Sequence, residues 1–273
     1  MKVTCKNILD NVLPHHKISI ITVSYNAATV IEKTILSVIN QTYPYKEYII
    51  IDGGSTDGTV DIIKKYQDKI TYWISEPDKG IYDAMNKGIL LTTGDYINFM
   101  NAGDSFYDKD TLDKVASYMA QKDDEIIYGD INYIYDWGNK ITHPHPLELL
   151  ATKNLIFSHQ ASFASSTLMK QCLFDTKYKI ASDYNFFYQQ YNSKKSFKYI
   201  PVCIANFDCI SGVSTKQILK ALKEDAIING NIKKISWHLS YYITCFNVRI
   251  RTFVASILPR ELVLRIKKYK NNR

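Results

Sequence analysis

The chain has 273 residues, 46% hydrophobic and 22% charged, with 11 Gly and 7 Pro, a composition that excludes disordered, collagenous and low-complexity classes. Its net charge of +7 is unevenly placed: residues 216–273 hold 13 Lys/Arg against 3 Asp/Glu, whereas residues 1–215 hold 21 against 24. The basic character belongs to a tail, so composition argues against a nucleic-acid-binding body and offers a membrane surface or another polyanion as the tail's partner.

Lys17–Tyr25 is a short, β-branched apolar run and reads as a buried strand. Ala28–Gln41 places Val30, Ile31, Ile35, Val38 and Ile39 at helical spacing, and Pro44 bars its continuation. Glu47–Asp52 is a second buried strand ending in an acid, followed by a Gly53-Gly54-Ser55 turn. A helix then runs through Tyr66, with Thr56 or Asp57 as its cap. Ile70–Ser75 is a third strand, Pro77–Gly80 a loop, Ile81–Leu91 a helix and Asp95–Met100 a fourth strand. A polar loop, Asn101-Ala102-Gly103-Asp104, precedes a helix over Asp110–Gln121 and a strand at Glu125–Tyr128. In the second half the pattern predicts a hairpin over Tyr133–Lys140 and a rigid connector at His143–Pro146. Helices are expected at Phe157–Leu173 and Asp183–Tyr191, a strand at Phe197–Phe207, and helical, basic, aromatic sequence from Thr215.

Strands alternating with helices at this spacing predict an α/β fold: a Rossmann-like, mostly parallel sheet flanked by helices, with a helical C-terminal extension. The expected division is a main body over 1–214, in two halves that meet at about residue 130, and an extension over 215–273. Ligands of such sheets sit beyond the carboxyl ends of the strands. Polar residues collect there: Tyr25-Asn26, Asp52, Glu76 with Asp78, Asn101 with Asp104, and Gly129-Asp130. Asp52 stands where α/β nucleotide sites put an acid against a ribose or base, although a strand-end turn residue would look the same. No G-x-G-x-x-G follows the first strand and no G-x-x-x-x-G-K-[ST] occurs, so the dinucleotide fold and the P-loop are disfavoured. Asp104 is a candidate ligand for a hard divalent cation bridging phosphates, or a turn aspartate. Asp183, opening a helix between Ser182 and Tyr184, is a candidate general base or a cap.

The five cysteines (Cys5, Cys172, Cys203, Cys209 and Cys245) form no C-x-x-C pair, so neither a disulfide framework nor a zinc site is indicated. Scattered thiols fit a reducing compartment. The N-terminus lacks the apolar core of a secretory signal. The most apolar stretch, Trp237–Leu258, is interrupted by His238, Asn247, Arg249 and Arg251, which argues against a spanning helix. The tail reads either as a subdomain packing its apolar face on the body or as an interfacial helix with a polybasic end. These features predict a cytoplasmic protein, peripheral on the inner face of the plasma membrane under the second reading.

Taken together, Ile18–Ala27, Ser37–Thr59, Ser75–Ile89 and Thr93–Phe106 resemble glycosyltransferase family 2, the inverting A-type fold that uses nucleotide-diphosphate sugars. The similarity continues through Ile127–Asp130, Ser158–Phe163 and Ala181–Phe187, and is closest to the branch that builds bacterial surface polysaccharides. The resemblance implies a base and ribose site at Val23, Tyr25, Asn26 and Asp52, and a diphosphate and sugar site at Asp78, Asn86 and Lys87. It makes Asp104 the last carboxylate of a metal element for Mn or Mg and Asp183 the catalytic base. His159 and Gln160 would border the sugar or acceptor. The metal element departs from the family's two acids: Asn101 is a neutral ligand at best and Gly103 has no side chain, so Lys79 or Lys87 would meet part of the leaving-group charge. The implied partners are a nucleotide-diphosphate sugar and a glycan or polyprenyl-linked saccharide acceptor, with an anionic membrane surface for 216–273 and no nucleic acid. A sugar nucleotidyltransferase would want a Gly-rich, Arg/Lys-bearing signature at Val23–Val30, which is lacking. A non-catalytic glycan-binding scaffold of the same fold is the other alternative.

Overall fold

The computed structural model describes residues 15–119, 125–152, 154–209, 217–259, 261–263 and 265. The expected domain boundary at 214/215, the N-terminal segment, the end of the helix drawn to Gln121 and most of the polybasic end lie outside the described residues.

Four strands make the parallel half of the sheet: β1 (Ile18–Ser24), β2 (Lys46–Asp52), β3 (Tyr72–Ser75) and β4 (Tyr96–Phe99), in the order β3-β2-β1-β4. Every residue of β1 is buried, as continuous apolar runs in parallel sheets require when both faces are covered. The alternation in β2 sends Tyr48 and Ile50 to one core, with Ile31, Ile35 and Val38 of helix α1 (Ile31–Ile39). Ile49 and Ile51 go to the other, with Met85 and Ile89 of a later helix. α1 is shorter at both ends than the expected Ala28–Gln41. Helix α2 (Thr59–Lys65) is capped by Gly58 at φ 97°, while Asp57 accepts the Thr59 N–H at 3.1 Å from one position earlier.

β2 is anchored at both ends by buried carboxylates. Glu47 pairs with Lys17 (2.7 Å) and accepts from Ser19 Oγ, Thr93 N and Gly94 N. Burial alone would raise its carboxyl, yet these partners hold it down at about 2. At the other end Asp52 lies in register between Ser24 of β1 and Ser75 of β3 and hydrogen-bonds both.

Helix α3 (Ile81–Leu91) follows β3, and Gly88 brings it close to β1: a Cβ there would lie 2.6 Å from Ile21. After β4 come β5 (Ser105–Phe106) and helix α4 (Thr111–Ala116). Strand β6 (Ile126–Tyr135) runs well past the expected end at Tyr128, so Gly129-Asp130 lies within a strand and not at its end. It forms the expected hairpin with β7 (Gly138–Thr142).

The main correction falls on Phe157–Leu173, expected to be a helix. It is a single 3-10 turn at His159–Ala161, then strand β8 (Ser162–Ser165), then helix α5 (Ser166–Gln171). β8 lies antiparallel between β4 and β6 and buries Phe163 and Ala164 in opposite cores. The gap between those two strands overrides the helical spacing, and Asn98 Nδ2 pins the segment by donating to Gln160 O and Ser162 O, both at 2.9 Å. Helix α6 (Ser182–Asn192) and strand β9 (Phe197–Asp208) complete the body, giving the sheet order β3-β2-β1-β4-β8-β6-β9-β5. The parallel sheet with helices on both faces is as expected, and its second half is mixed. Two helices form the C-terminal part, α7 (Ile218–Ile228) and α8 (Ile235–Ile257).

Gly129 sits where β6 and β9 slip register. A Cβ there would approach Val202 O to 2.5 Å and Ile204 Cδ1 to 2.8 Å. Gly129→Ala should therefore cost about 1–3 kcal/mol of overpacking, read as a lower urea midpoint with an unchanged slope; an unchanged midpoint would contradict this packing.

Candidate active site

A cavity of about 400 Å³ opens at the carboxyl ends of β1 and β4. Val23, Tyr25 and Asn101 line it beside Asp78 and Lys79, the first turn of α3 forms one wall, and Thr176, Tyr178 and Lys179 close the opposite side. Of the expected residues, Val23, Tyr25, Asp78 and Asn101 face this space. Tyr25 is 67% exposed and Val23 is buried.

The others stand behind the wall and organise it. Asp52 is fully buried and collects five internal donors: Ser24 Oγ, Ser55 Oγ, Ser75 Oγ, Gly54 N and Ser55 N, at 2.6–3.2 Å. Burial would raise its carboxyl, and the hydrogen bonds from Ser55, Ser75 and Ser24 outweigh this and hold it below its usual range. Asn26 adopts φ 47° and ties the same loop down, donating its N–H to Ser55 Oγ (2.7 Å) and accepting from Thr56 N (3.0 Å). Gly53 leaves room for Asp78: a Cβ there would fall on the Asp78 carboxylate and push that side chain aside. Asn86 and Lys87 do not line the cavity. Asn86 clamps both backbone groups of Phe174 at 2.9 Å, and Lys87 pairs with Glu76 at 2.7 Å.

A second group of side chains runs from the cavity into the core. Asn101 Nδ2 meets His159 Nε2 at 3.2 Å, and His159 Nδ1 meets Asp183 Oδ2 at 2.8 Å. Asp183 Oδ1 accepts from Tyr184 N (2.9 Å) and Tyr82 Oη (3.0 Å), and Tyr82 returns to the cavity wall. Burial would raise the Asp183 carboxyl, but the His159 hydrogen bond and charge, with the Tyr184 and Tyr82 bonds, hold it below the usual range. Burial and the Asp183 charge push the Tyr82 hydroxyl well up, so it stays a donor. A carboxylate on Nδ1 fixes the imidazole tautomer and leaves Nε2 as the acceptor on the cavity side.

Asp104 lies deeper. Its oxygens accept from Gln160 Nε2 (2.8 Å) and Asp208 N (3.1 Å), and burial pushes its carboxyl up to about 6. The fit to a divalent cation is poor. Among the described residues no three His, Cys, Asp or Glu side chains gather as a metal site. Both Asp104 oxygens already hold internal donors. Asn101 Oδ1 is buried without a partner, which supplies one neutral ligand and no more. In this structure the Asp104 carboxylate fastens the Asn101–Asp104 loop to Gln160 and β9.

Residues that the sequence did not single out complete the site. Tyr82, Tyr178 and Lys179 line the cavity. Glu224 of α7 accepts the backbone N–H groups of Lys179, Ile180 and Ala181 at 2.9–3.1 Å. It thereby holds both the cavity wall and the entry to the helix that carries Asp183. The Glu224-Asp225 pair in an otherwise apolar and basic helix was the available signal, but the partners of Glu224 are more than 40 residues away and are backbone groups that no side-chain pattern marks. A second cavity of about 330 Å³ lies between Tyr128, Tyr199 and the His143–Leu147 connector.

Solved structures share this architecture. A mannosyltransferase from Pyrobaculum calidifontis, in complex with GDP-Man and Mn2+, superposes with TM-score 0.64 at 15% identity, covering 94% of this chain and 80% of that one. S. aureus TarS 1–349 gives TM-score 0.61 at 18% identity, covering 78% of this chain and just under two thirds (65%) of that one. The fold is thus the A-type glycosyltransferase fold. Sequence comparison is more specific: the model of Glycosyl transferase family 2 matches residues 19–197, and the chain belongs to that family. A PGL/p-HBAD biosynthesis glycosyltransferase of Mycobacterium bovis is 30% identical over 217 residues, 75% of this chain and 83% of its own length. The putative teichuronic acid biosynthesis glycosyltransferase TuaG of Bacillus subtilis is 38% identical over 108 residues, 38% of this chain and 42% of its own.

Asp225, next to Glu224, is pushed up to about 7 by burial and by the charges of Asp183 and Glu224. An acid raised in the fold contributes stability fully below its unfolded value, near 4, and loses it as pH rises through about 7. Asp225→Asn should gain melting temperature over wild type progressively from about pH 5 to about pH 8; a difference that stays flat across that range contradicts this environment.

Proposed function

We propose that the cavity binds a nucleotide-diphosphate sugar and that the enzyme transfers the sugar, with inversion, to a hydroxyl of a glycan or lipid-linked saccharide in cell-surface polysaccharide biosynthesis. The observation that carries this reading is one space with two chemically different borders. On one side stand Lys79, Lys179 and the first turn of α3, with Asp78 and Asp83 beside them, an edge that offers two ammonium groups and a helix N-terminus to a diphosphate. On the other Asn101 and Tyr82 face the space and lead back to the His159–Asp183 pair behind them, a chain suited to moving a proton. TarS has been solved with UDP-GlcNAc and the Pyrobaculum enzyme with GDP-Man, which supports a nucleotide-sugar donor. Relatives named for PGL/p-HBAD and teichuronic acid biosynthesis support the surface-glycan setting.

The base and ribose would sit against Val23 and Tyr25, with Asp52 acting through the Gly53–Ser55 loop that it pins. Asp183 holds the His159 Nδ1–H, so the acceptor proton leaves to the His159–Asp183 pair with the carboxylate as its anchoring charge. The acceptor oxygen attacks the anomeric carbon opposite the nucleoside diphosphate, whose growing charge is taken up by Lys79, Lys179 and the α3 N-terminus. A divalent cation in a family 2 enzyme supplies further charge neutralisation when bound. The donor set here does not form a cage for one, and no step above is assigned to it.

Asp183→Asn should lower kcat by about 10²–10⁴-fold while the thermal shift given by UDP or GDP persists; His159→Gln should fall in the same range if the pair acts together. Full turnover in Asp183→Asn would remove it from the mechanism, and full turnover in His159→Gln alone would leave Asp183 as the sole base. Asp52→Ala should weaken nucleotide binding by calorimetry, at a cost in stability as well; equal affinity would refute its part in the donor site.

A further inference from the structure

Helix α8 carries an apolar stripe with its own period. Ile235, Phe246 and Ile257 are eleven residues apart, as are Leu239 and Ile250, and Tyr242 and Phe253. Eleven residues span three turns at about 3.67 per turn, close to the helix's natural 3.6, so the set keeps to one face without drifting. At about 100° per residue the seven side chains fall within an arc of about 80°. All are exposed, from 44% at Ile250 to 88% at Ile235. None of the described side chains of α8 is buried. Among the described residues the body thus leaves this face largely exposed, which favours the interfacial reading of the tail over one in which its apolar side packs on the body. A continuous exposed apolar strip about 35 Å long is a surface with a partner.

Charge identifies that partner. α8 contains no Asp or Glu. Lys233 and Lys234 precede it, Arg249 and Arg251 lie within it, and residues 258–273 add six Lys/Arg against the lone Glu261. A second copy laid along the stripe would bring like charges together with no acid on either helix to offset them. Anionic lipid headgroups complement the same charges, and no described helix is long and apolar enough to cross a membrane. We propose that α8 lies in the plane of an anionic membrane, its eleven-residue stripe in the acyl boundary and its basic flanks among the headgroups. Trp237 and Tyr241, stacked at 4.9 Å on the side away from the stripe, then stand toward the aqueous side of the headgroups. The short turn Asn231–Lys233 joins this helix to α7, whose Glu224 holds the Lys179–Ala181 wall of the cavity. Docking would thus fix the cavity relative to the lipid surface. The inference stands on the helix alone and does not rest on the donor chemistry.

The test is flotation of the full chain with vesicles of phosphatidylcholine alone or with one third phosphatidylglycerol, alongside sedimentation velocity without lipid. Wild type should float with the anionic vesicles about tenfold more than with the neutral ones, or better, since its Lys/Arg side chains are attracted to anionic headgroups. Phe246→Glu with Phe253→Glu should reduce flotation by about tenfold or more, with the thermal shift by UDP unchanged. Lys233→Glu with Lys234→Glu, which keeps the stripe, should reduce only the anionic component. Flotation that is absent in wild type, or equal in the Phe246/Phe253 variant, overturns the proposal. So does a concentration-dependent dimer that the Phe246/Phe253 variant dissolves, because a second copy would then cover the stripe. Loss of the UDP shift in wild type would speak against the proposed donor site and leave the flotation result standing.

Discussion

The architecture of the site depends on a buried carboxylate at the end of β2. Parallel strands deliver their carboxyl ends to one edge, but nothing in strand pairing holds the loops that leave that edge. Asp52 does so by collecting hydroxyls from the strands on either side and two backbone N–H groups from the turn that follows. A buried charge is tolerated only when such donors replace its water, and the arrangement makes the loop rigid as a consequence. Glu47 performs the equivalent task at the opposite end of the same strand. With β2 fixed at both ends, Gly53 lies close to Asp78 and this edge of the cavity is set.

The hydrogen-bonded chain behind the cavity is assembled differently, from residues that are distant in the chain. Asn101 comes from the loop after β4, His159 from the turn before β8, Asp183 from α6 and Tyr82 from α3. Each is held by a second contact: Asn98 fastens the turn that carries His159, and Glu224 fastens the segment leading to Asp183. The concentration of buried acid around Asp183, Glu224 and Asp225 is costly in isolation. It is tolerated here because Glu224 is satisfied by three backbone N–H groups and Asp183 by His159 and Tyr82, while Asp225 favours its protonated form. The C-terminal helices are therefore not an appendage to the chemistry, since α7 supplies the group that closes the cavity wall.

Much of the parallel half was legible. β1, β2, α3 and β4 were expected within a residue or two, because runs buried on both faces and a Pro- and Gly-bounded helix are local signals. Phe157–Leu173 was misread because its spacing fits a helix, and only the vacancy between β4 and β6 makes Ser162–Ser165 a strand. The partners of Asp104 were hidden for a related reason. A polar loop after a strand looks like a metal element, and only the neighbouring Gln160 and β9 reveal that both carboxylate oxygens are already engaged. Asn86 and Lys87 likewise belong to motifs whose side chains turn out to serve Phe174 and Glu76.

The amino-acid order by itself determined the alternation of strands and helices, the family and the identity of the polar residues offered at the strand ends, because these follow from periodicity and motif spacing within short windows. It also determined the eleven-residue stripe of α8, which is written entirely in one helix. What faces the cavity, what is consumed in holding it, and whether that stripe is covered were decided only by the tertiary structure. Hydrogen-bond partners for a carboxylate, and the surface left over for a helix face, are set by elements brought together from about 20 to about 100 residues apart, and no local pattern encodes that distance.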